Sequence, residues 1–236
     1  MIVEYNGDQI VQDYLSKTLS ITRIAKKHGC STYMVNKILD KYHIERYDYH
    51  LVLPQNKVKF PVKEDYFDTE NEKMAYILGI LASDGTVRKN RNEIKLTLSA
   101  VDKEYLETLR NEVGGRDIKE YQDQKGFKNV TWIFTSKRIK EALEKYNIVP
   151  EKTYSFTFPK KLNKKYWRDF IRGYFDGDGC ISTAGPSAIR FQIGSKTKDV
   201  LETIVSYFEE CGIPKTQIYK RQDNFYYFQY SSSATR

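Results

Sequence analysis

Two nine-residue segments of this chain repeat one another: Ile77-Leu78-Gly79-Ile80-Leu81-Ala82-Ser83-Asp84-Gly85 and Ile171-Arg172-Gly173-Tyr174-Phe175-Asp176-Gly177-Asp178-Gly179. Each is an apolar stretch with a central glycine, closed by an Asp-Gly pair. A helix that ends in Asp sets a carboxylate against the partly negative end of its own macrodipole, where the last carbonyls lack partners. Glycine inside a helix costs about 1 kcal/mol relative to Ala. Gly79 and Gly173 therefore call for a reason, and close approach of two helix backbones supplies one, because a missing Cβ lets the main chains touch. Ala82, Ser83 and Gly177 extend that thin seam toward the acids. Parallel packing about a pseudo-dyad brings Asp84 and Asp178 side by side, a concentration of negative charge suited to a divalent cation. The alternative is a pair of buried core helices whose terminal Asp residues merely face solvent.

The repetition extends beyond these segments. Ile94-Lys95-Leu96-Thr97-Leu98 aligns without a gap with Ile189-Arg190-Phe191-Gln192-Ile193, through to Tyr105–Leu109 against Val200–Ile204. Each copy reads as helix, β-hairpin, helix, β-hairpin. Apolar and polar residues alternate in the first strands as in a half-buried antiparallel sheet. Helices over Asp102–Val113 and Lys198–Cys211 cover the buried faces. Ile118–Gln122 with Val130–Thr135, and Ile218–Gln222 with Tyr226–Tyr230, form the second hairpins. A further amphipathic helix spans Ser136–Tyr146, and Thr69-Glu70-Asn71-Glu72 has the pattern of a capping box. The expected class is α+β.

The paired segments resemble the two signature helices of a single-chain LAGLIDADG homing endonuclease. The terminal acid and glycine map onto Asp84-Gly85 and Asp178-Gly179, and the third-position glycines onto Gly79 and Gly173. The second copy is the more specific match; the first has Ala82 where the family often has an acid. The resemblance covers Asp65 to the C-terminus, with repeats over 65–159 and 160–236, and the last helix of the second repeat missing at Arg236. It implies a pseudo-twofold αββαββ fold whose antiparallel sheets form a saddle. It also implies Mg²⁺-dependent phosphodiester hydrolysis with Asp84 and Asp178 as metal-holding catalytic acids, and Lys152, between the repeats, as the basic residue of one centre. Cleavage of a long, asymmetric double-stranded DNA target with short 3′ overhangs follows from the same resemblance. So does action as a monomer, since both halves lie in one chain.

On such sheets the outward side chains would be Lys95, Thr97, Arg190 and Gln192 in the first hairpins. Lys119, Tyr121, Tyr219 and Arg221 occupy the corresponding places in the second. A β-ribbon fits the major groove, where Arg and Gln suit guanine and adenine edges. The net charge of +8, from 39 basic and 31 acidic residues, favours a polyanionic partner. The basic residues are interspersed among 19 Tyr and 12 Phe rather than gathered in a tail. Cys30, Cys180 and Cys211 are spaced neither as a disulfide framework nor as metal ligands, which indicates a reducing compartment. His28, His43 and His50 lie far in sequence from the acidic motifs, which argues against a His-dependent nuclease or a zinc hydrolase. No stretch suits a bilayer and no signal segment opens the chain, so a cytoplasmic protein without membrane contact is expected.

Residues 1–48 differ in kind. After a helix over Asp8–Lys17, Ser20–Leu39 resembles a helix-turn-helix: Ile24 and Ala25 pack the first helix, Gly29 turns, and Val35, Ile38 and Leu39 anchor the second. This leaves Ser31, Thr32, Tyr33, Asn36 and Lys37 to meet a major groove. Residues 49–64, holding Pro54 and Pro61, read as a linker. Helix-turn-helix plus LAGLIDADG architecture also occurs in regulators, so a non-catalytic DNA-binding transcription regulator is the alternative, with an RNA maturase a third. Three-helix modules of this kind also serve as protein-docking units. Neither a splicing nucleophile at the N-terminus nor a terminal His-Asn pair is present, so a complete intein is not expected.

Overall fold

The computed structural model describes residues 5–16, 19–46, 60–183 and 188–233. The chain divides into two compact units, 1–59 and 60–236. The greater part of the expected linker, 49–59, lies outside the described residues. Its last residues, 60–64, are tied to the second unit. Val62 bridges Gly114, and the Lys63 N–H donates to the Val113 carbonyl at 2.9 Å.

In the first unit α1 (Gly7–Leu15), α2 (Ile21–Lys27) and α3 (Thr32–Lys41) enclose a core of Ile10, Val11, Tyr14, Ile24, Ala25, Val35 and Leu39. Each helix opens on a polar cap: Asn6, Ser20 and Ser31 accept from the N–H groups of Gln9, Arg23 and Met34. These bonds satisfy donors that the first turn would otherwise leave free. Gly29, at φ 63°, makes the turn between α2 and α3. Asp13 of α1 accepts from Lys27 Nζ (2.8 Å) and pairs with His28 Nε2 (2.7 Å), pinning α1 to the end of α2.

The second unit runs α4 (Glu72–Ser83), β1 (Gly85–Val87), β2 (Glu93–Ser99), α5 (Lys103–Val113), β3 (Lys119–Gln122), β4 (Lys128–Thr135) and α6 (Lys137–Glu144). The second half follows as α7 (Trp167–Asp178), β5 (Gly179–Thr183), β6 (Ala188–Ser195), α8 (Lys198–Glu210), β7 (Tyr219–Lys220) and β8 (Tyr226–Ser233). Each half builds one four-stranded antiparallel sheet, ordered β1-β2-β4-β3 and β5-β6-β8-β7. One core serves both halves, running from Ile94, Leu96 and Trp132 through α4 and α7 to Ile193, Ile204 and Phe228.

Two local expectations are corrected. The first signature helix does not open on Thr69: Asn71 is its N-cap, its Oδ1 accepting from Met74 N at 2.9 Å, and Glu72 is already helical. The gapless alignment of the strands is two residues out. Gly85 pairs with Leu96 and Gly179 with Ile193, so Leu96 corresponds to Ile193 rather than to Phe191, and Lys95 to Gln192 rather than to Arg190. The link into the following helix is two residues shorter in the second half, spanning 196–197 against 99–102 between equivalent positions. A slip of two keeps every side chain on its face, so the division into covered and open faces is unaffected.

Candidate functional site

The site begins with the seam between α4 and α7. A Cβ on Gly79 would fall on the Phe170 carbonyl oxygen and 2.6 Å from the Tyr174 nitrogen. One on Gly173 would fall on the Tyr76 carbonyl oxygen and 3.1 Å from the Ile80 nitrogen. The obstacles are main-chain atoms, which cannot step aside. One turn further, a Cβ on Gly177 would meet Ser83 Oγ and lie 2.5 Å from Asp84 Oδ2. The carboxylate that ends α4 thus lies against the main chain of α7 at the residue before Asp178. Small residues thin the seam and bring the two acids together.

Both aspartates keep access to solvent, yet packed protein on one side shapes their ionisation. Desolvation raises the Asp84 carboxyl to about 6, the charge of Asp178 adds to this, and Lys152 opposes it. Asp178 is raised by desolvation as well, held back by a hydrogen bond from Tyr174 and by Lys152. Lys152 itself is 8% exposed. It opens a 3₁₀ turn, Lys152–Tyr154, that follows Glu151 at φ 60°. Its Nζ donates to the carbonyls of Gly85 (2.8 Å) and Ser83 (3.2 Å), on either side of Asp84. One ammonium thus neutralises the α4 terminus and stands beside both acids. Burial lowers Lys152 to about 8, against the pull of Asp178 and Asp84.

Several participants were not singled out from sequence. Tyr174, almost fully buried, stands beside Asp178 and Ser195, and desolvation and the Asp178 charge push its hydroxyl upward. Asp178 and Lys152 line one cleft with Ser195, Lys196 and Phe225. Asp84 lines another with Asp102, Tyr105 and Asp176. Tyr76 Oη donates to Asp176 Oδ2 at 2.6 Å and lies 2.7 Å from Tyr105 Oη. Asp176 stands two residues before Asp178 within the repeated segment, a visible signal. The tyrosines carried none, being a few among many.

Register places the strand residues. Thr97 lies opposite Thr131, which also faces Lys119; Tyr121 faces Asn129; and Lys95 faces Ile133. Arg190 faces Ser231, Gln192 faces Gln229 and Tyr219 faces Tyr227. All of these alternate with the helix-covered side chains Leu96, Val130, Trp132, Ile193 and Phe228, so they share the open faces. Arg221, just beyond β7, lies 5.5 Å from the Phe225 ring. That ring covers Gly194, and Tyr219 stacks on Tyr227 at 5.4 Å. In the first unit Thr32, Tyr33 and Lys37 are exposed and Asn36 is partly exposed. Ser31 is exposed too, its Oγ engaged as the α3 cap.

Two carboxylates and no histidine make a hard-oxygen donor set. Among the described residues no group of three or more His, Cys, Asp or Glu side chains is placed to hold a metal ion. Two carboxylates that resist joint ionisation fit a small divalent cation that keeps much of its water shell and completes its coordination with phosphate oxygens. No helix among the described residues is long and apolar enough to cross a membrane.

Two halves of the same topology, joined at glycine-lined helices that end in paired acids, define a LAGLIDADG fold. The chain belongs to the LAGLIDADG-like domain family, whose model matches residues 71–147 and 165–235, the two halves just described. Among curated proteins it is similar to the reverse gyrase of Methanocaldococcus jannaschii, 28% identical over 155 residues, 62% of this chain and 9% of that protein. An uncharacterized protein of the same organism is 23% identical over 173 residues, 66% of this chain and 60% of the other. The chain therefore spans less than two thirds of either relative. Among solved structures, full-length DUF199/WhiA from Thermatoga maritima matches 72% of this chain and 55% of its own length, with 16% identity and a TM-score of 0.47. The homing endonuclease I-DmoI in complex with DNA and Ca matches 67% and 82%, with 18% identity and a TM-score of 0.44.

Proposed function

We propose that this chain is a site-specific, Mg²⁺-dependent double-strand DNA endonuclease of homing type, acting as a monomer on a long asymmetric target and leaving short 3′ overhangs. The observation that carries this reading is the convergence of Asp84, Asp178 and Lys152 at the end of the glycine seam. Asp84 and Asp178 would hold the cation, which when bound polarises a phosphate oxygen and acidifies a water. Lys152 supplies fixed positive charge next to both acids, where charge develops on a phosphate under attack. Tyr174 stands beside Asp178 and favours its ionised form. The open sheet faces read DNA with Lys95, Thr97, Lys119 and Tyr121 on one side and Arg190, Gln192, Tyr219 and Arg221 on the other. Because the two sets differ, the two half-sites differ. The first unit lengthens the contact through Thr32, Tyr33, Asn36 and Lys37 of α3, with Ser31 at its start.

A non-catalytic DNA-binding regulator on the same fold is the second reading. It is favoured by the donor set, which stops at two carboxylates among the described residues. The discriminating experiment selects cut sites from a randomised duplex library in Mg²⁺. The expected result is one asymmetric sequence cleaved on both strands; tight sequence-specific binding with no Mg²⁺-dependent cutting establishes the regulator instead. Deletion of residues 1–59 is expected to shorten the footprint on that sequence and weaken binding by about tenfold or more at physiological salt, through lost phosphate and groove contacts. An unchanged footprint would rule out a DNA-reading role for α3.

A further inference from the structure

The two clefts beside the paired acids are mates under the repeat. The helix segments make Ile80 the counterpart of Tyr174, Ala82 of Asp176 and Asp84 of Asp178. The strand register makes Leu98 the counterpart of Ser195 and Ser99 of Lys196. One cleft is lined by Ala82, Tyr174, Asp178 and Ser195, the other by Asp176, Ile80, Asp84 and Leu98. These are the same four places, taken from opposite halves. The positions are symmetric and their occupants are not.

Charge separates them. The Asp178 cleft adds Lys152 and Lys196, two basic side chains beside one carboxylate. Lys196 Nζ donates to the Asp223 carbonyl at 3.0 Å and lies 3.5 Å from Asp223 Oδ2, with its side chain 25% exposed. The Asp84 cleft adds Asp102, so three carboxylates line it and, among the described residues, no basic side chain does. Asp102 precedes α5 without capping it by a side-chain hydrogen bond. Where the first cleft has the hydroxyls of Tyr174 and Ser195, the second has Ile80 and Leu98.

We propose, resting on the endonuclease reading, that the two DNA strands are cut in a fixed order, the one beside Lys152 and Lys196 first. Each cut adds one water to one phosphodiester. The water oxygen bonds to phosphorus, the bond to one deoxyribose oxygen breaks, and that oxygen leaves with a proton from the water. Negative charge builds on the phosphoryl oxygens during attack. Lysine side chains next to it lower the barrier, and carboxylates next to it raise the barrier. A duplex nicked on one defined strand therefore accumulates before the second cut.

The test follows both strands of the selected duplex in one Mg²⁺ reaction, each strand with its own end label. Rate constants that differ about tenfold or more are expected, with the nick always on the same strand. Lys196→Ala is expected to slow the faster strand about tenfold, and Asp102→Asn to speed the slower one, so each moves the ratio toward one. Both rates come from one reaction, so partial loss of folded protein lowers them together and leaves the ratio in place. Binding in EDTA gives a readout without cutting. A methylphosphonate, which removes one phosphate charge, is placed at one cut position or the other. It is expected to weaken binding at the faster position and to leave it level or tighter at the slower. Equal rate constants, a ratio indifferent to Lys196→Ala, or equal methylphosphonate effects overturn the fixed order and leave the endonuclease reading standing. Absence of cutting on both strands overturns the endonuclease reading itself, and the order with it.

Discussion

Gly173→Ala is expected to destabilise the second unit by about 3 kcal/mol or more, although the substitution improves helix propensity by about 1 kcal/mol. The sign of the change is what tests the seam. On an ordinary buried helix the added methyl would stabilise. Here it would land on the Tyr76 carbonyl oxygen and lie 3.1 Å from the Ile80 nitrogen, both backbone atoms of the facing helix. The helices can accept it only by moving apart, and that loosens the apolar layer around Phe170, Tyr174, Leu78 and Leu81. Gly79→Ala presses on the same interface from the other side, against Phe170 and Tyr174. The double variant is therefore expected to cost less than the sum of the singles, because the separation is made once. Urea unfolding of the three variants measures this. A more stable Gly173→Ala protein would mean that the helices do not meet at the glycines.

The seam, the acids and the αββαββ order were all legible in the sequence because each rests on local pattern. A mid-helix glycine, a helix ending in Asp, and strict apolar–polar alternation are statements about neighbours in the chain. What was not legible depends on choices that local pattern leaves equal. An alignment of strands out by two residues has the same alternation as the correct one; only the pairing of Gly85 with Leu96 and Gly179 with Ile193 distinguishes them. The Thr69 capping box and the Asn71 cap compete over the same few residues, and the start of the buried face at Met74 and Ala75 decides for Asn71. Lys152 could be named by resemblance, but its grip on the carbonyls of Ser83 and Gly85 joins residues nearly seventy positions apart, at separations of 69 and 67.

Asp84→Asn with Asp178→Asn is expected to reduce double-strand cleavage about 10³-fold or more, equivalent to several kcal/mol of transition-state stabilisation, while leaving DNA binding within a few-fold, about 1 kcal/mol at most. A second, independent effect is expected in metal-free protein. The folded state holds the Asp84 carboxyl at about 6, above its ordinary 3.8, through desolvation and the nearby Asp178. A carboxyl raised on folding is more stable protonated, so its ionisation is carried at a cost. The parent therefore loses stability as pH rises from the ordinary carboxylate value through about 6. The amide that replaces the Asp84 carboxyl has no such proton to lose. In EDTA the variant should melt above the parent at pH 7 and level with it near pH 4, with solvent access to the carboxylate keeping the gap modest. Added Mg²⁺ should raise the melting temperature of the parent alone, since binding to the folded state stabilises it by mass action. Full-rate cutting by the double variant would remove the acids from the chemistry. A melting difference independent of pH would show instead that the carboxylates do not crowd one another at the seam.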